Sequence, residues 1–344
     1  MTDHLRPLSQ RVDAPAVLAL PADTADLTWR AATLADVDAI YELEREVAPV
    51  DHPHFVVPRE EIAHDFEESF FDASSDSALA FDADGHLVGF GFAIMPDSQD
   101  TLVRSIVPGA VRPSARGRGV GRQLFAWQHD RALQQLATSD KTLPGWIIVF
   151  TPDDLPRANR LYERAGLSLV RYFLELRRDL SEPIAEVALD PDVRIETMTP
   201  QWHEHARVAR NDAFRDHWGS QPTPRDSWES FVGRAVTRGD LSSLAIAERD
   251  GVEEVAGFVI TSVNEEDWTQ FSSAYIDLVG VPRGWRKRGL APALIANTLR
   301  LVAAQGIDKA VLDVDAENPS GALGLYAGLG FTEATRSLGF TKVF

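Results

Sequence analysis

Residues 116–121 read RGRGVG and residues 286–291 read RKRGLA, and each cluster opens an apolar run spaced like one face of a helix. In the first run Leu124, Trp127, Leu133 and Leu136 recur at helical intervals over 120–136, and in the second Leu294, Leu299 and Val302 do so over 291–304. Apolar strands precede both clusters, VRSIVPGAV at 103–111 and AYIDLVGV at 274–281. A strand that turns into a helix through glycine leaves bare backbone N–H groups at the positive end of the helix dipole, a geometry that receives phosphate. Glycine serves there because the chain must approach an anion closely or take positive φ, and arginine adds charge-assisted bonds.

The sequence around the clusters repeats as well. LTWRAATLADVDAIYELEREV (27–47) and VRIETMTPQWHEHARVARNDAF (193–214) each read as a short strand, a threonine turn and a helix. Two hairpins follow, 78–94 and 244–263, turning at Asp84-Gly85 and Asp250-Gly251. After the loops and their helices come the strands WIIVF (146–150) and AVLDV (310–314), then short helices ending in LYERAGL (161–167) and LYAGLGF (325–331). The chain is therefore expected to hold a duplicated α/β unit with a mixed sheet: a leader at 1–26, one domain at 27–180, a Pro- and acid-rich linker at 181–192, and a second domain at 193–344.

Composition narrows the function. With 34 basic against 52 acidic side chains, a formal net charge of −18, the surface disfavours nucleic acid and anionic lipid. Basic residues nonetheless gather at the two loops, which points to two small anionic ligands. There is no apolar run of membrane-spanning length. The absence of cysteine excludes disulfides, thiolate metal sites and a cysteine-bound acyl intermediate, and makes a cytoplasmic location the default expectation. His52 and His54, two residues apart in DHPHF, have no second ligand pair beside them and read as loop histidines; no metal is expected.

A P-loop would require G-x-x-x-x-G-K-[ST], which neither loop has, and the dinucleotide fingerprint G-x-G-x-x-G would need glycine where Arg122 stands. A third loop type fits. R-x-x-G-x-G (Arg116, Gly119, Gly121) and R-x-x-G-x-A (Arg286, Gly289, Ala291) resemble the pyrophosphate loop of the GNAT family of N-acetyltransferases, and the LYxxAGL and LYxxLGF segments agree with it in both halves. The resemblance implies two tandem acyl-CoA N-acyltransferase domains and acetyl-CoA as co-substrate. It implies coenzyme contacts from Val111, Arg116, Gly117, Arg118, Gly119, Val120, Gly121 and Tyr162 in the first half. In the second half it implies Val279, Val281, Arg286, Lys287, Arg288, Gly289, Leu290, Ala291 and Asn318, with Tyr326 as the acid toward the CoA thiolate.

Acetyl transfer to an amine needs a neutral amine, a polarised carbonyl and a protonated leaving thiolate. In 275–281 simple alternation puts Tyr275, Asp277, Val279 and Val281 on one face, and Asp277 stands out because a carboxylate within an apolar strand is costly unless paired or used. The expected base is Asp277, with a structural ion pair as the rival reading. In the first half Val103, Ser105, Val107, Gly109 and Val111 carry no carboxylate, Pro108 interrupts the strand and Asp154 stands where the second half has Asn318. That half is expected to bind acetyl-CoA with little or no turnover. For the acceptor, the stretch at 211–231 supplies Asp212, Arg215, Asp216, His217, Trp218 and Trp228, of which Asp216, His217 and Trp218 are the expected contacts. The expected activity is direct transfer to a small primary amine by a monomer or homodimer; a CoA-sensing module without turnover is the rival.

Overall fold

Thr33 starts the 3-10 turn that leads into the first α-helix through a capping box with Asp36, whose carboxylate also receives Arg30 at 2.7 and 2.5 Å. The computed structural model describes residues 5–52, 56–265, 271–317 and 321–344. They fall into two units. The first holds the described residues up to Arg171 together with Ser337–Phe344, and the second is Tyr172–Arg336.

In the first unit the order is β1 (Leu27–Arg30), α1 (Val37–Asp51), α2 (Arg59–Asp65), α3 (Ala73–Asp76), β2 (Ser77–Asp82), β3 (Leu87–Phe92), β4 (Val103–Ile106), β5 (Gly109–Val111), α4 (Val120–Ala137), β6 (Gly145–Pro152) and α5 (Pro156–Arg164). β1, β2, β3 and β5 form an antiparallel sheet in that order, and β4 runs parallel to β6. Ile40, Leu43 and Val47 of α1 bury one sheet face against Leu79, Phe90 and Phe92, while Leu124 and Trp127 of α4 cover Ala78, Ala80 and Val88. Both hairpin turns form where the Asp-Gly pairs predict them, with Gly85 at φ 80° and Gly251 at φ 78°. The expected leader is a strap: Leu8 is fully buried against the place where a Cβ on Gly145 would stand, and Leu18 and Leu20 pack on the α4 side.

The second unit takes β7 (Ser168–Asp179) from residue 172 onward, then β8 (Val193–Thr197), α6 (His203–Ala213), α7 (Arg225–Gly233), β9 (Ser243–Arg249), β10 (Val252–Ser262), β11 (Ser273–Gly280), α8 (Leu290–Ala304), β12 (Lys309–Asp315), α9 (Ala322–Gly328) and the start of β13 (Thr332–Val343). Its strand order is β7-β12-β11-β10-β9-β8. α8 buries Leu294, Leu299 and Val302 on one face; α6 and α7 bury Ala206, Ala209 and Trp228 on the other.

The division of the chain differs from the expected cut at 181–192. Residues 173–179 of β7 pair antiparallel with β12, inside the second unit, and residues 337–343 of β13 pair antiparallel with β6, inside the first. Each half has given its last strand to the other half's sheet.

Candidate functional site

The two loops are built alike. A 3-10 turn, Pro113–Ala115 or Arg283–Trp285, leads into Arg116 or Arg286 in extended conformation, and left-handed Gly119 (φ 91°) or Gly289 (φ 75°) caps the helix that follows. Two positions earlier in each loop the backbone is left-handed again, at Gly117 (φ 80°) and at Lys287 (φ 65°). A left-handed lysine is strained, so the shared path is held by the surrounding loop. Neither α4 nor α8 has a side-chain cap or an acid in its first turn. Their leading amides and dipole charge are left for an external anion. A Cβ at Gly289 would meet nothing within 4 Å, so the space above the amides is open.

The expected arginine contacts are partly redirected. Arg116 donates from Nε to Val111 O at 3.0 Å and from both terminal nitrogens to Asp51 at 2.7 Å; Arg286 donates to Val281 O at 3.2 Å and Ala213 O at 2.9 Å, with Asp216 at 3.5 Å. Both are staples that fix the loop to its own strand and to the first helix of its unit. Arg288 is bound by Asp190 and Asp192, each at 2.6 Å, and lies over Trp285. Val120 and Leu290 point into the core, so they offer the loop only their amides. Two further cations stand by the first loop, Arg122 of the basic cluster and Arg157, which sequence reading passed over: a Cβ on Gly117 would lie 3.3 Å from Arg157 Nη1, and one on Gly119 3.7 Å from Arg122 Nη2. Arg118, Arg122 and Arg157 have no ion pair among the described residues. The open glycine path, bare amides and these cations suit the diphosphate of acetyl-CoA.

Above the second loop the sheet parts. β11 pairs parallel with β12 only across Ser273–Tyr275, while β12 continues along β7 as far as Asp315. Beyond Tyr275 the β12-facing edge of β11 has no paired strand among the described residues. On its other edge β11 carries a bulge: Leu278 opposes Ile260 and Ile276 opposes Thr261, leaving Asp277 as the extra residue. This corrects the alternation expected for the strand. Ala274 and Ile276 pack on the α8 side, and after the bulge so do Val279 and Val281; Leu278 packs on the α6 side, and Asp277 reaches Arg234 behind α7 at 3.5 Å. Tyr275 and Asp277 thus face away from Val279 and Val281. In the first unit Gly91 with Gly109 and Ile94 with Ile106 keep one register without a bulge. There the α4 side holds Val103, Ser105 and Val107, and Arg104 points the other way, where the second unit has its tyrosine and acid.

The two tyrosines differ in surroundings. Tyr162 on α5 packs on Phe125 and Phe340, and burial lifts it to about 12 while a hydrogen bond to Thr151 pulls it back. Tyr326 on α9 packs edge-on to Phe331; burial alone lifts it to about 12, and its hydroxyl has no hydrogen-bond partner among the described residues. It is protonated at neutral pH and able to donate. Asn318 lies outside the described residues, as does His54; His52 approaches Glu44 at 3.8 Å.

Of the expected acceptor contacts, Asp216 is taken up by Arg283 and Arg286 and holds the loop. Trp228 is core, 1% exposed, with its indole donating to His203 O. His217 packs on Phe214, is held below the usual imidazole range by burial and then by Arg286 and Arg210, and feels Asp315 at the end of β12. Trp218 meets Phe173, which pairs with Asp315. These two side chains therefore do reach the end of the parted strands. Sequence reading missed Asp313 and Glu175 on the same side, although Asp313 interrupts the apolar run AVLDV in the way Asp277 interrupts its own.

The sequence profile of the acetyltransferase (GNAT) family matches residues 37–167 and 203–331. A mycothiol acetyltransferase from Frankia casuarinae is 32% identical over 67% of this chain and 66% of its own length, so the chain spans about two thirds of that relative. Another from Thermobispora bispora is 31% identical over 75% of this chain and 80% of its own. Among solved structures, a GCN5-related N-acetyltransferase from Sphaerobacter thermophilus shares the fold at a TM-score of 0.72 and 22% identity, covering 94% of this chain and 97% of that one. A tandem GNAT protein from the clavulanic acid biosynthesis pathway does so at 0.66 and 16%, covering 92% and 98%. Two profile matches in one chain, each bracketing a glycine-capped helix and a parted sheet or its remnant, establish that the chain belongs to the GNAT family of acetyltransferases as a tandem member.

Proposed function

We propose that the second unit transfers the acetyl group of acetyl-CoA to a primary amine of a small acceptor, directly and without an acyl-enzyme, while the first unit binds the coenzyme with little or no turnover. The observation that carries this is the parting of β11 from β12 beside the Asp277 bulge, directly ahead of the uncapped α8. The bound thioester supplies the activated acetyl group. The amides of Gly289, Leu290 and Ala291, with Lys287, hold its diphosphate; the free edge of β11 at Val279–Val281 positions the pantetheine arm and donates to the carbonyl oxygen. Asp277 takes a proton from the attacking amine and Tyr326 gives one to the leaving sulfur. The first unit has the loop without the chemistry: its strand has neither the bulge nor a carboxylate, and Thr151 engages Tyr162.

A mycothiol synthase-type reaction, acetylation of a cysteinyl amino-sugar conjugate, is the second reading, favoured by the names of the relatives. A thiol-release screen of amines, amino sugars, polyamines and peptides with acetyl-CoA separates the two. In the same assay Asp277→Asn and Tyr326→Phe are each expected to lower kcat by about a hundredfold while calorimetry shows CoA affinity within twofold of the parent. Unchanged turnover in both variants would take the base and acid roles from Asp277 and Tyr326, and CoA uptake by a parent that releases no thiol with any acceptor would leave a CoA-sensing module as the better account.

A further inference from the structure

Beside the parted strands three carboxylates share one side of the second sheet, and they are not equally occupied. Glu175 on β7 is held by Arg177 at 2.6 Å, and Asp277 has Arg234 at 3.5 Å. Asp313, the register partner of Glu175, has no ion pair among the described residues; its one recorded partner is the Tyr275 hydroxyl, which donates to Oδ2 at 2.6 Å. Leu312 and Val314 on either side of it are buried toward α8, so Asp313 projects from the opposite face. It is exposed to solvent, yet protein surrounds it closely enough that burial, then the charge of Glu175, raises its carboxyl, with only the Tyr275 bond opposing. Burial and the Asp313, Asp277 and Glu175 charges all hold Tyr275 protonated, so it is a fixed donor.

We propose that Asp313, oriented by Tyr275, docks the acceptor's ammonium group and takes its first proton, delivering a neutral amine to Asp277. This rests on the acetyl-transfer reading. An ammonium acceptor must lose two protons. The first passes from nitrogen to Asp313 and on to water through the exposed side of that carboxyl. As the C–N bond forms and the C–S bond breaks, the second passes to Asp277; the electron pair left on sulfur takes a proton from Tyr326, and the proton on Asp277 replaces it. One proton is released to solvent per turnover. Asp313 acts on the substrate; Tyr275 is a positioning residue. The charged groups around the pair are Glu175 and Arg177 from β7, Lys309 and Asp315 from β12, Asp277 from β11, Arg234 behind α7 and His217 on the loop after α6.

The test has two arms. In the first, the Asp313 carboxyl carbon of the full chain, assigned with Asp313→Asn, is followed by NMR against pH with ethylammonium chloride or with sodium chloride at equal ionic strength. Docking predicts a lower midpoint in ethylammonium, and Tyr275→Phe raises the midpoint in both salts; identical midpoints in the two salts overturn the proposal whether or not the enzyme turns over. In the second, acetyl transfer to glucosamine is compared with transfer to hydroxylamine, which is neutral at pH 7. Asp313→Asn is expected to cut kcat/KM for glucosamine by about a hundredfold, to raise its KM and leave that of acetyl-CoA alone, and to cost hydroxylamine far less. Tyr275→Phe shifts the acid limb of the glucosamine profile to higher pH. Equal losses for both acceptors would assign Asp313 a structural role and overturn the proposal. Failure of the acetyl-transfer reading shows separately, as a parent protein that takes up no CoA in the calorimeter.

Discussion

Asp65 shows how strongly one residue can tie this fold to pH. It ends α2, and burial, then the charge of Glu61, lifts its carboxyl from 3.8 to about 7, with His64 opposing and Glu68 adding to the shift. The folded chain therefore holds a proton that the unfolded chain releases across that interval, so bound protons are more numerous in the native state. Stability contributed by this group is full below the unfolded value and is lost as pH rises toward 7. Replacement by asparagine keeps the shape and removes the charge. Urea unfolding of Asp65→Asn should show a flatter pH dependence between 4 and 7 and a gain of about 2 kcal/mol at pH 8, below the ceiling of ~4 kcal/mol set by the distance between the two values, because the side chain keeps some solvent contact. A variant as pH-sensitive as the parent would show that Asp65 ionises normally. The same kind of reasoning explains why Tyr162 and Tyr326, each following a leucine and preceding a glycine by four residues, differ in reach. Only the packed chain supplies Thr151 to one and, among the described residues, no hydrogen-bond partner to the other.

At the level of elements, what the sequence reveals is what neighbours in sequence determine. Asp-Gly turns, glycine caps and helical spacing of leucines are local, and they place both hairpins, both loops, α4 and α8 within a residue or so. The bulge at Asp277 depends on how β11 meets β10, so alternation alone put Tyr275 and Asp277 on the wrong face relative to Val279. Long-range pairings escaped for the same reason: Asp51 lies 65 residues from Arg116 and Asp190 98 from Arg288, so loop cations read as free are partly neutralised. Asp313 was legible by the rule that singled out Asp277, but β12 follows the loop and was read only as a strand. The glycine cap of α8 can be tested as an element. Gly289→Ala meets no atom, so its cost in urea unfolding should be only that of the left-handed backbone, about 1 kcal/mol, whereas its methyl group stands over the leading amides. Calorimetry should show CoA binding to the second unit weakened by at least tenfold. Undiminished binding would place the diphosphate elsewhere.

For the whole molecule, the repeat announces two equivalent units but not which strand completes each. LSLVRYFLELRRD and TEATRSLGFTKV both carry the pattern of a final strand, and a strand's own residues specify its two faces without specifying which of two similar sheet edges receives it. The chain resolves this by exchange: residues 173–179 line β12 and residues 337–343 line β6. The N-terminal unit is consequently unfinished until the last residues are in place, since Leu338 and the 1%-exposed Phe340 belong to the core formed by Phe125, Leu136, Ile147 and Val149. Removing residues 337–344 deprives β6 of its antiparallel partner from Trp146 to Pro152 and opens that core, while every strand pairing within Tyr172–Arg336 is kept. Hydrogen exchange should then show residues 146–152 losing protection and trypsin should cut early within the first 171 residues, with the β9–β12 amides still protected. Phe340→Ala in the full chain should reproduce the effect in part, at a cost of about 3–5 kcal/mol confined to the first unit. Protection of β6 that survives the deletion would mean that the exchanged strand is not what completes the N-terminal sheet.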